Sequence, residues 1–378
     1  MELEPSDVQR AIQESARAFA RERVAPVAAE NDRASRFPHD LVRGMGELGL
    51  LAVNVPEEHG GSGAGAVAYA LALMEIAAAD CATAITMGVT NMVAETISRF
   101  GTPEQRARHL PGLAQGRAPG SFALSEPHSG SDAAALRARA VPRRGGWVLE
   151  GEKQWVTIGD VAGVVIVWAR TDAGPGTAGI TAFLVERGTP GLSVGRHEEK
   201  MGLRASSTVS LVLDGCELPD SARLGGMGDG FRIALAALDG GRIGVASQAT
   251  GTIRAALEAS ARYAKERTSF GVPIAEHEAI RFMLADVATD HEASRLLTLR
   301  AAAEKEAGRP FTRAASMAKL FASEAAQRAV SRAVQIHGGY GYTDEFPVAR
   351  LFRDARVQTI YEGTSEIQRL VIARDLLR

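Results

Sequence analysis

The chain has 378 residues, 46% hydrophobic and 23% charged, which is enough length and apolar content for a sizeable core and excludes disordered or collagen-like architecture. Forty-three Lys and Arg against 45 Asp and Glu give a net charge of −2 with no long block of one sign, so neither a nucleic-acid partner nor a polybasic membrane surface is expected. Cys81 and Cys216 match neither a disulfide framework nor a CxxC pair, the start Met1-Glu2-Leu3-Glu4-Pro5 lacks an apolar run, and no stretch reaches the length of a membrane span; a cytoplasmic location is expected.

Residues 1–119 read as a helical domain. Val8, Ile12, Ala16 and Phe19 fall on one helical face, and Pro26 is expected to end that segment. Residues 66–79 and 84–100 are long apolar periodic runs, and Thr102-Pro103-Glu104-Gln105 offers an N-cap, a proline at the first helical position and a capping-box glutamine. Over 120–225 the pattern changes to short β-branched or aromatic strands at 147–149, 164–168, 180–185 and 207–213, with Arg143-Arg144-Gly145-Gly146 as a hairpin turn. A mainly antiparallel β-domain follows from that pattern. Over 226–378 helical periodicity returns, first with a stripe of Phe231, Leu235, Leu238, Val245, Ala249, Ile253 and Leu257. Further helices are expected at 279–306, 313–336 and 366–377, the last after a Thr364-Ser365 cap with Gln368 three residues beyond Ser365. The fold class is therefore α+β and multi-domain, and helices this apolar predict both bundle packing and oligomer contacts.

Several chemistry-bearing patterns lack their context. Residues 61–66 spell G-x-G-x-x-A with Asp80 nearly twenty residues on, but Pro56-Glu57-Glu58-His59 sets carboxylates beside the glycines and a helix, not a strand, follows; a loop opening a helix is the better reading. Ser316-Met317-Ala318-Lys319 matches S-x-x-K without its companions and in mid-helix, which is the behaviour of a chance match. There is no H-E-x-x-H, and no histidine stands three residues after a glutamate, so no metal is expected.

Five polar or glycine-rich segments remain at the borders of the three parts. The first, 122–132, crowds hydroxyls and small residues as the chain enters the β-domain, which suits a polar ring or a phosphate. In the second, Lys153-Gln154-Trp155-Val156-Thr157, strand alternation puts Trp155 and Thr157 on one side, an aromatic face and a hydroxyl able to flank a flat cofactor. The third and fourth, Arg267-Thr268-Ser269-Phe270-Gly271 and Gln335-Ile336-His337-Gly338-Gly339-Tyr340-Gly341, supply an arginine and paired glycines that fit close approach to a pyrophosphate. In the fifth, 360–366, the carboxylate of Glu362 stands next to a glycine just before a helix. Each alone reads as packing or capping; their order and spacing together carry more.

In that order, and with Met201-Gly202-Leu203-Arg204-Ala205-Ser206-Ser207, Leu238-Asp239-Gly240-Gly241-Arg242-Ile243 and Tyr361-Glu362-Gly363-Thr364-Ser365-Glu366-Ile367-Gln368-Arg369, the chain resembles the acyl-CoA dehydrogenase family, in its short-chain, butyryl-CoA-like branch. The resemblance covers nearly the whole length. It implies an N-terminal helical domain, a middle β-domain and a C-terminal four-helix bundle, assembled as a homotetramer with one FAD per subunit. It implies that Leu124 and Ser125 contact the pyrimidine side of the flavin, that Trp155 and Thr157 cover its back, and that Ser131 lies by the thioester chain or the pyrophosphate. Arg267, Phe270, Gln335, Gly338 and Gly339 would hold the ADP half of a neighbouring subunit's FAD, with Thr364 and Glu366 near the cofactor; Asp239 and Arg242 would meet the CoA arm, and Tyr361 and Gly363 the substrate. His128-Ser129, Ile158-Gly159 and Glu276-His277-Glu278 depart from the family's common pattern.

Removing hydrogens from adjacent carbons of an acyl thioester needs a base for the α-proton, a hydride acceptor facing Cβ and donors for the carbonyl oxygen. Glu362 is the base by resemblance, with its own N–H and a ribityl hydroxyl as the donors; burial is expected to raise its pKa toward that of the polarised substrate. The isovaleryl and long-chain branch carries its base where this chain has Gly241, and glycines at 240 and 241 in mid-helix predict a packing or access reason, such as room for substrate. The expected activity is FAD-dependent conversion of a short-chain acyl-CoA to the trans-2-enoyl-CoA, with electrons passed to an electron-transfer flavoprotein. The alternatives on the same fold are an acyl-CoA oxidase or a dehydrogenase of carrier-protein-linked acyl groups, and outside enzymes a silent helical scaffold that binds acyl chains.

Overall fold

The computed structural model describes residues 4–377, and the part of the acidic start at 1–3 lies outside them. Helix α1 (Asp7–Phe19) opens on a reciprocal capping box between Ser6 and Gln9 and buries Ala16 and Phe19. Val8, expected on that face, lies in the first turn and is 60% exposed. Pro26 does not end the segment. A π-turn at Ala20–Val24 leads directly into α2 (Ala25–Ala34), whose first turn takes the proline at a position where a missing N–H costs no helical bond. After α3 (His39–Glu47), the glycine-rich 61–65 loop opens α4 (Gly65–Ala79), as its context predicted. Asp80 then caps α5 (Cys81–Phe100), accepting from the N–H of Thr83 at 2.8 Å, and Thr102 and Gln105 form the expected capping box of α6 (Pro103–Ala114).

An eight-stranded sheet follows, made of β1 (Gly120–Ala123), β2 (Arg139–Arg143), β3 (Gly146–Thr157), β4 (Val164–Arg170), β5 (Ile180–Glu186), β6 (Leu192–His197), β7 (Thr208–Pro219) and β8 (Arg223–Leu224). Its order is β6-β7-β3-β2-β4-β5-β8 with β1 beside β4. Pairings are antiparallel except β1 with β4 and a single pair between β2 and β4. Arg143 faces Gly146 across the expected two-residue turn. Strand alternation gives β4 and β5 two apolar faces. Val164, Ile166 and Trp168 with Ile180, Ala182 and Leu184 pack toward the helices, while Val165, Val167 and Ala169 with Phe183 and Val185 pack under β3 and β7. The indole N–H of Trp168 donates to Gly230 O at 2.7 Å, fixing the sheet to the start of the next helix.

That helix, α7 (Gly230–Glu266), runs for 37 residues. A small hairpin, β9 (Thr268–Ser269) with β10 (Val272–Pro273), leads into α8 (Glu278–Glu306), α9 (Thr312–His337), α10 (Pro347–Ala355) and α11 (Ser365–Leu376). Ala246, Ala249, Ala302, Ala315, Ala318, Ala322 and Ala329 fill the seams between α7, α8 and α9, small side chains that let the helices approach closely. The expected α7 stripe divides. Val245, Ala249 and Ile253 are buried, whereas Leu235 is 43% exposed because its end of the helix borders a cleft. Helix α10, which buries Val348, Leu351 and Ala355, has no counterpart in the periodicity reading. The N-cap of α11 is Thr364 alone, accepting from Ile367 N, so Gln368 is not a capping-box partner. Among the described residues no helix is long and apolar enough to cross a membrane.

Candidate active site

A cleft of about 1660 Å³ opens where the β1 and β3 ends of the sheet meet α5, α7, α9 and α11. Leu124, Ser125, Ser131, Trp155 and Thr157 line it from the sheet side, Asp239 and Arg242 from α7, and Tyr361, Glu362, Gly363 and Thr364 from the loop before α11. Segments far apart in sequence thus share one space.

On the sheet side, Trp155 lies in the left-handed region (φ +60°) at a bulge in β3 between Lys153 and Val156, with its side chain exposed to the cleft. The bulge breaks strict alternation, yet Trp155 and Thr157 still face the same cleft. Lys153 beneath is fully buried and donates to Glu126 Oε1 at 2.8 Å and Leu124 O at 3.2 Å, while Glu126 also accepts from the N–H groups of Arg137 and Ala138. Burial draws the ammonium down to about 8, and despite its own burial the Glu126 carboxyl is held below its ordinary range by Lys153 and these N–H groups. This pair, unread in the sequence, ties the first segment to the second.

On the helical side, Glu362 and Gly363 both have left-handed backbones, with φ of +54° and +86°. Lys319 Nζ donates to Gly363 O at 2.8 Å, and Gln368 Nε2 donates to the same oxygen at 2.9 Å and to Glu362 O at 3.1 Å. Oε2 of Glu362 is buried without a hydrogen-bond partner among the described residues. Burial pushes this carboxyl up to about 7, outweighing the opposite pull of Arg242 and Lys319. Arg242 is itself buried and pairs with Asp239 at 2.5 Å, and Asp239 also accepts from the Thr312 hydroxyl. The Tyr361 hydroxyl donates to Gln248 Oε1, and Gln248 holds Cys81 O at 2.8 Å, anchoring the loop on α5 and α7. The sequence reading named Lys319 only in a chance match and Gln368 only as a cap, and missed their hold on this loop. The signal for Lys319 was a lone charge on a face of small residues, Ala315, Ser316, Ala322 and Ser323, overlapping the discarded S-x-x-K match.

The remaining candidates lie elsewhere. Arg267 sits over the Tyr340 ring at 5.9 Å, and Phe270 is 95% exposed with φ +52°. Gln335, Gly338 and Gly339 are exposed at the end of α9, with open space around both glycines. Glu366 is exposed in the first turn of α11. None of these six lines the cleft of the same chain.

Three family models match in succession: the N-terminal domain of acyl-CoA dehydrogenase over residues 6–117, the middle domain over 121–216 and the C-terminal domain over 228–377. The chain is 47% identical over 362 residues to an acyl-CoA dehydrogenase of Bacillus subtilis, covering 96% of each. Among solved structures it is similar to butyryl-CoA dehydrogenase from Megasphaera elsdenii, at 41% identity and a TM-score of 0.98, with both chains covered fully. A chain in the structure of the electron transferring flavoprotein of Acidaminococcus fermentans matches at 42% identity and a TM-score of 0.99, again over both full lengths. With all three domain models in order along its length, the chain belongs to the acyl-CoA dehydrogenase family of FAD-dependent oxidoreductases.

Proposed function

We propose that the protein oxidises a short-chain acyl-CoA to the trans-2-enoyl-CoA with Glu362 as the base, passing electrons to an electron-transfer flavoprotein. The observation that carries this reading is the unpartnered, left-handed Glu362 carboxyl facing the same cleft as Trp155 and Thr157. The cleft suits FAD. It offers an exposed indole face, hydroxyls at Ser125, Ser131 and Thr157, and volume well beyond a solvent-sized gap. Held there, FAD would supply the hydride acceptor for Cβ that no protein side chain provides.

Leu124, Ser125, Trp155 and Thr157 would hold the flavin, with Ser131 by the thioester chain or the pyrophosphate, Thr364 near the cofactor, Asp239 and Arg242 toward the CoA arm, and Tyr361 and Gly363 against the substrate. Glu366, exposed outside the cleft of its own chain, would approach the cofactor only from that outer side. The Glu362 carboxylate removes the α-proton. Its raised pKa makes it a stronger base than an ordinary carboxylate, and polarisation of the thioester lowers the substrate's pKa to meet it. The Glu362 N–H has no backbone acceptor among the described residues and donates to the thioester oxygen.

Arg267, Phe270, Gln335, Gly338 and Gly339 would serve the ADP half of a neighbouring subunit's FAD in a homotetramer. Exposure of Phe270, Phe282 and Tyr342, at 95%, 62% and 90%, supports an assembled form. The same reading divides the chain at about residues 119 and 225, and its two free, buried thiols suit a cytoplasmic, reducing location.

The test is spectroscopic. The purified protein should be yellow, bleach anaerobically with butyryl-CoA and regain colour with an electron-transfer flavoprotein. A colourless protein that takes up no FAD would end the reading, and rapid peroxide formation in air would make it an oxidase.

A further inference from the structure

Lys319 is fully buried in the first half of α9, with Ala315, Ser316, Ala322 and Ser323 on its own face. Its ammonium has one acceptor among the described residues, the Gly363 carbonyl at 2.8 Å, and that acceptor is neutral. A buried ammonium on a neutral carbonyl is a poor stabiliser, since an apolar side chain of similar volume would avoid the desolvation. The charge therefore calls for a reason outside stability.

The carbonyl it holds belongs to the residue after the base. Glu362 is a non-glycine residue in the left-handed region, followed by another left-handed residue, and such a turn persists only where its surroundings impose it. Lys319 from α9 and Gln368 from α11 grip its two carbonyls from different helices. The charged groups that face the ammonium are Glu362, Arg242, Glu366 and Glu324. No hydrogen bond joins Lys319 to Glu362, so the lysine acts on the base through the peptide and through its field.

We propose that Lys319 is a positioning residue for the base: it locks the Gly363 peptide so that the Glu362 carboxyl stays aimed into the cleft, and it sets a buried positive charge behind that carboxyl. This rests on the reading of Glu362 as the base.

The test is an infrared pH titration of the Glu362 carboxyl in the flavin-loaded protein, with steady-state kinetics beside it. The band is identified by its loss in Glu362→Gln. Lys319→Met should keep flavin, move the carboxyl midpoint up by about one pH unit and lower kcat at least about tenfold. Lys319→Gln, which keeps a donor without the charge, should recover part of kcat while the midpoint stays raised. An unmoved midpoint in a folded, flavin-retaining Lys319→Met overturns the proposal, whatever happens to kcat. If Lys319→Met fails to fold, the midpoint in Lys319→Gln decides: raised supports, unmoved overturns. Should the wild type turn over no acyl-CoA, the dehydrogenase reading fails, and the infrared midpoint still answers for Lys319.

Discussion

A Cβ added to Gly241 would stand 2.6 Å from Oε2 of Glu362 and 3.2 Å from Sδ of Met92. The glycine in the middle of α7 therefore makes room for the carboxyl itself, rather than for substrate alone. The atom in the way is the far end of a flexible side chain, so in Gly241→Ala the carboxyl swings aside and the helix stays intact. Alanine also favours the helix by about 1 kcal/mol. The expected outcome is an unchanged or higher unfolding temperature with kcat/KM lowered by about 10²-fold, the cost of a small misplacement of a reacting group. Thermal unfolding and steady-state kinetics check the two halves separately, and full activity would show that the carboxyl need not sit where it does.

The Glu362 carboxyl has a folded-state pKa of about 7 against 4.5 for an unperturbed glutamate. The native state thus keeps a proton that the unfolded chain has already released, and stability falls as pH rises between those two values. By pH 8 the loss amounts to about 3 kcal/mol in the flavin-free protein. Glu362→Gln removes it: the variant should be more stable than wild type at pH 8, equal to it near pH 4.5, and slower by at least about 10²-fold. In the wild type, kcat/KM should fall as pH drops through about 7, because the base must be ionised. Denaturant titrations at the two pH values and a pH–rate profile check both signs.

What was legible in the sequence is what short-range rules govern. Thr102 and Gln105 cap α6 as their spacing predicts, Arg144-Gly145 turns the β2–β3 hairpin, and three of the five segments, around Ser125, Trp155 and Glu362, line one cleft. Errors arose where a local rule met a tertiary contact. Gln368 has the spacing of a capping-box residue after Ser365, but Thr364 caps the helix and Gln368 turns back to the Glu362 and Gly363 carbonyls. Pro26 has the look of a stop, but a π-turn upstream absorbs it. The role of Lys319 was hidden because its partner, Gly363, is 44 residues away and no periodicity connects a lysine to a carbonyl. Arg267, Phe270 and the Gly338-Gly339 pair were singled out by the resemblance, and their place away from the cleft of the same chain comes only from the fold.

That placement makes Arg267 a separate test. Within the chain its guanidinium contacts the Tyr340 ring at 5.9 Å, a cation–π contact worth about 0.5–1 kcal/mol at an exposed site. Arg267→Ala should therefore leave the flavin-free fold nearly as stable as wild type. If the arginine holds a neighbouring subunit's cofactor, flavin content after dialysis should drop well below that of wild type. Unchanged flavin content would remove Arg267 from the cofactor site.

Asp80 joins two domains' worth of helices and invites the opposite result. Its Oδ2 accepts from the N–H and hydroxyl of Thr83 at the start of α5, while Oδ1 meets Arg350 of α10 at 2.7 Å, with side chains 4% and 12% exposed. Asp354 lies close by, its carboxyl pushed up to about 7 by burial although Arg350 opposes the shift, and Asp80 itself adds to it. Asp80→Ala loses the cap and leaves Arg350 buried without its principal partner, a change expected to cost about 3–5 kcal/mol. Asp80→Asn keeps a capping oxygen and relieves the repulsion on Asp354, which then ionises more readily and takes over part of the pairing with Arg350. Its loss should be the smaller of the two at pH 8 and should grow as the pH falls through the range where Asp354 is protonated again. Denaturant unfolding of both variants at pH 8 and pH 5 checks this ordering, and equal losses at both pH values would show that Asp354 does not compensate.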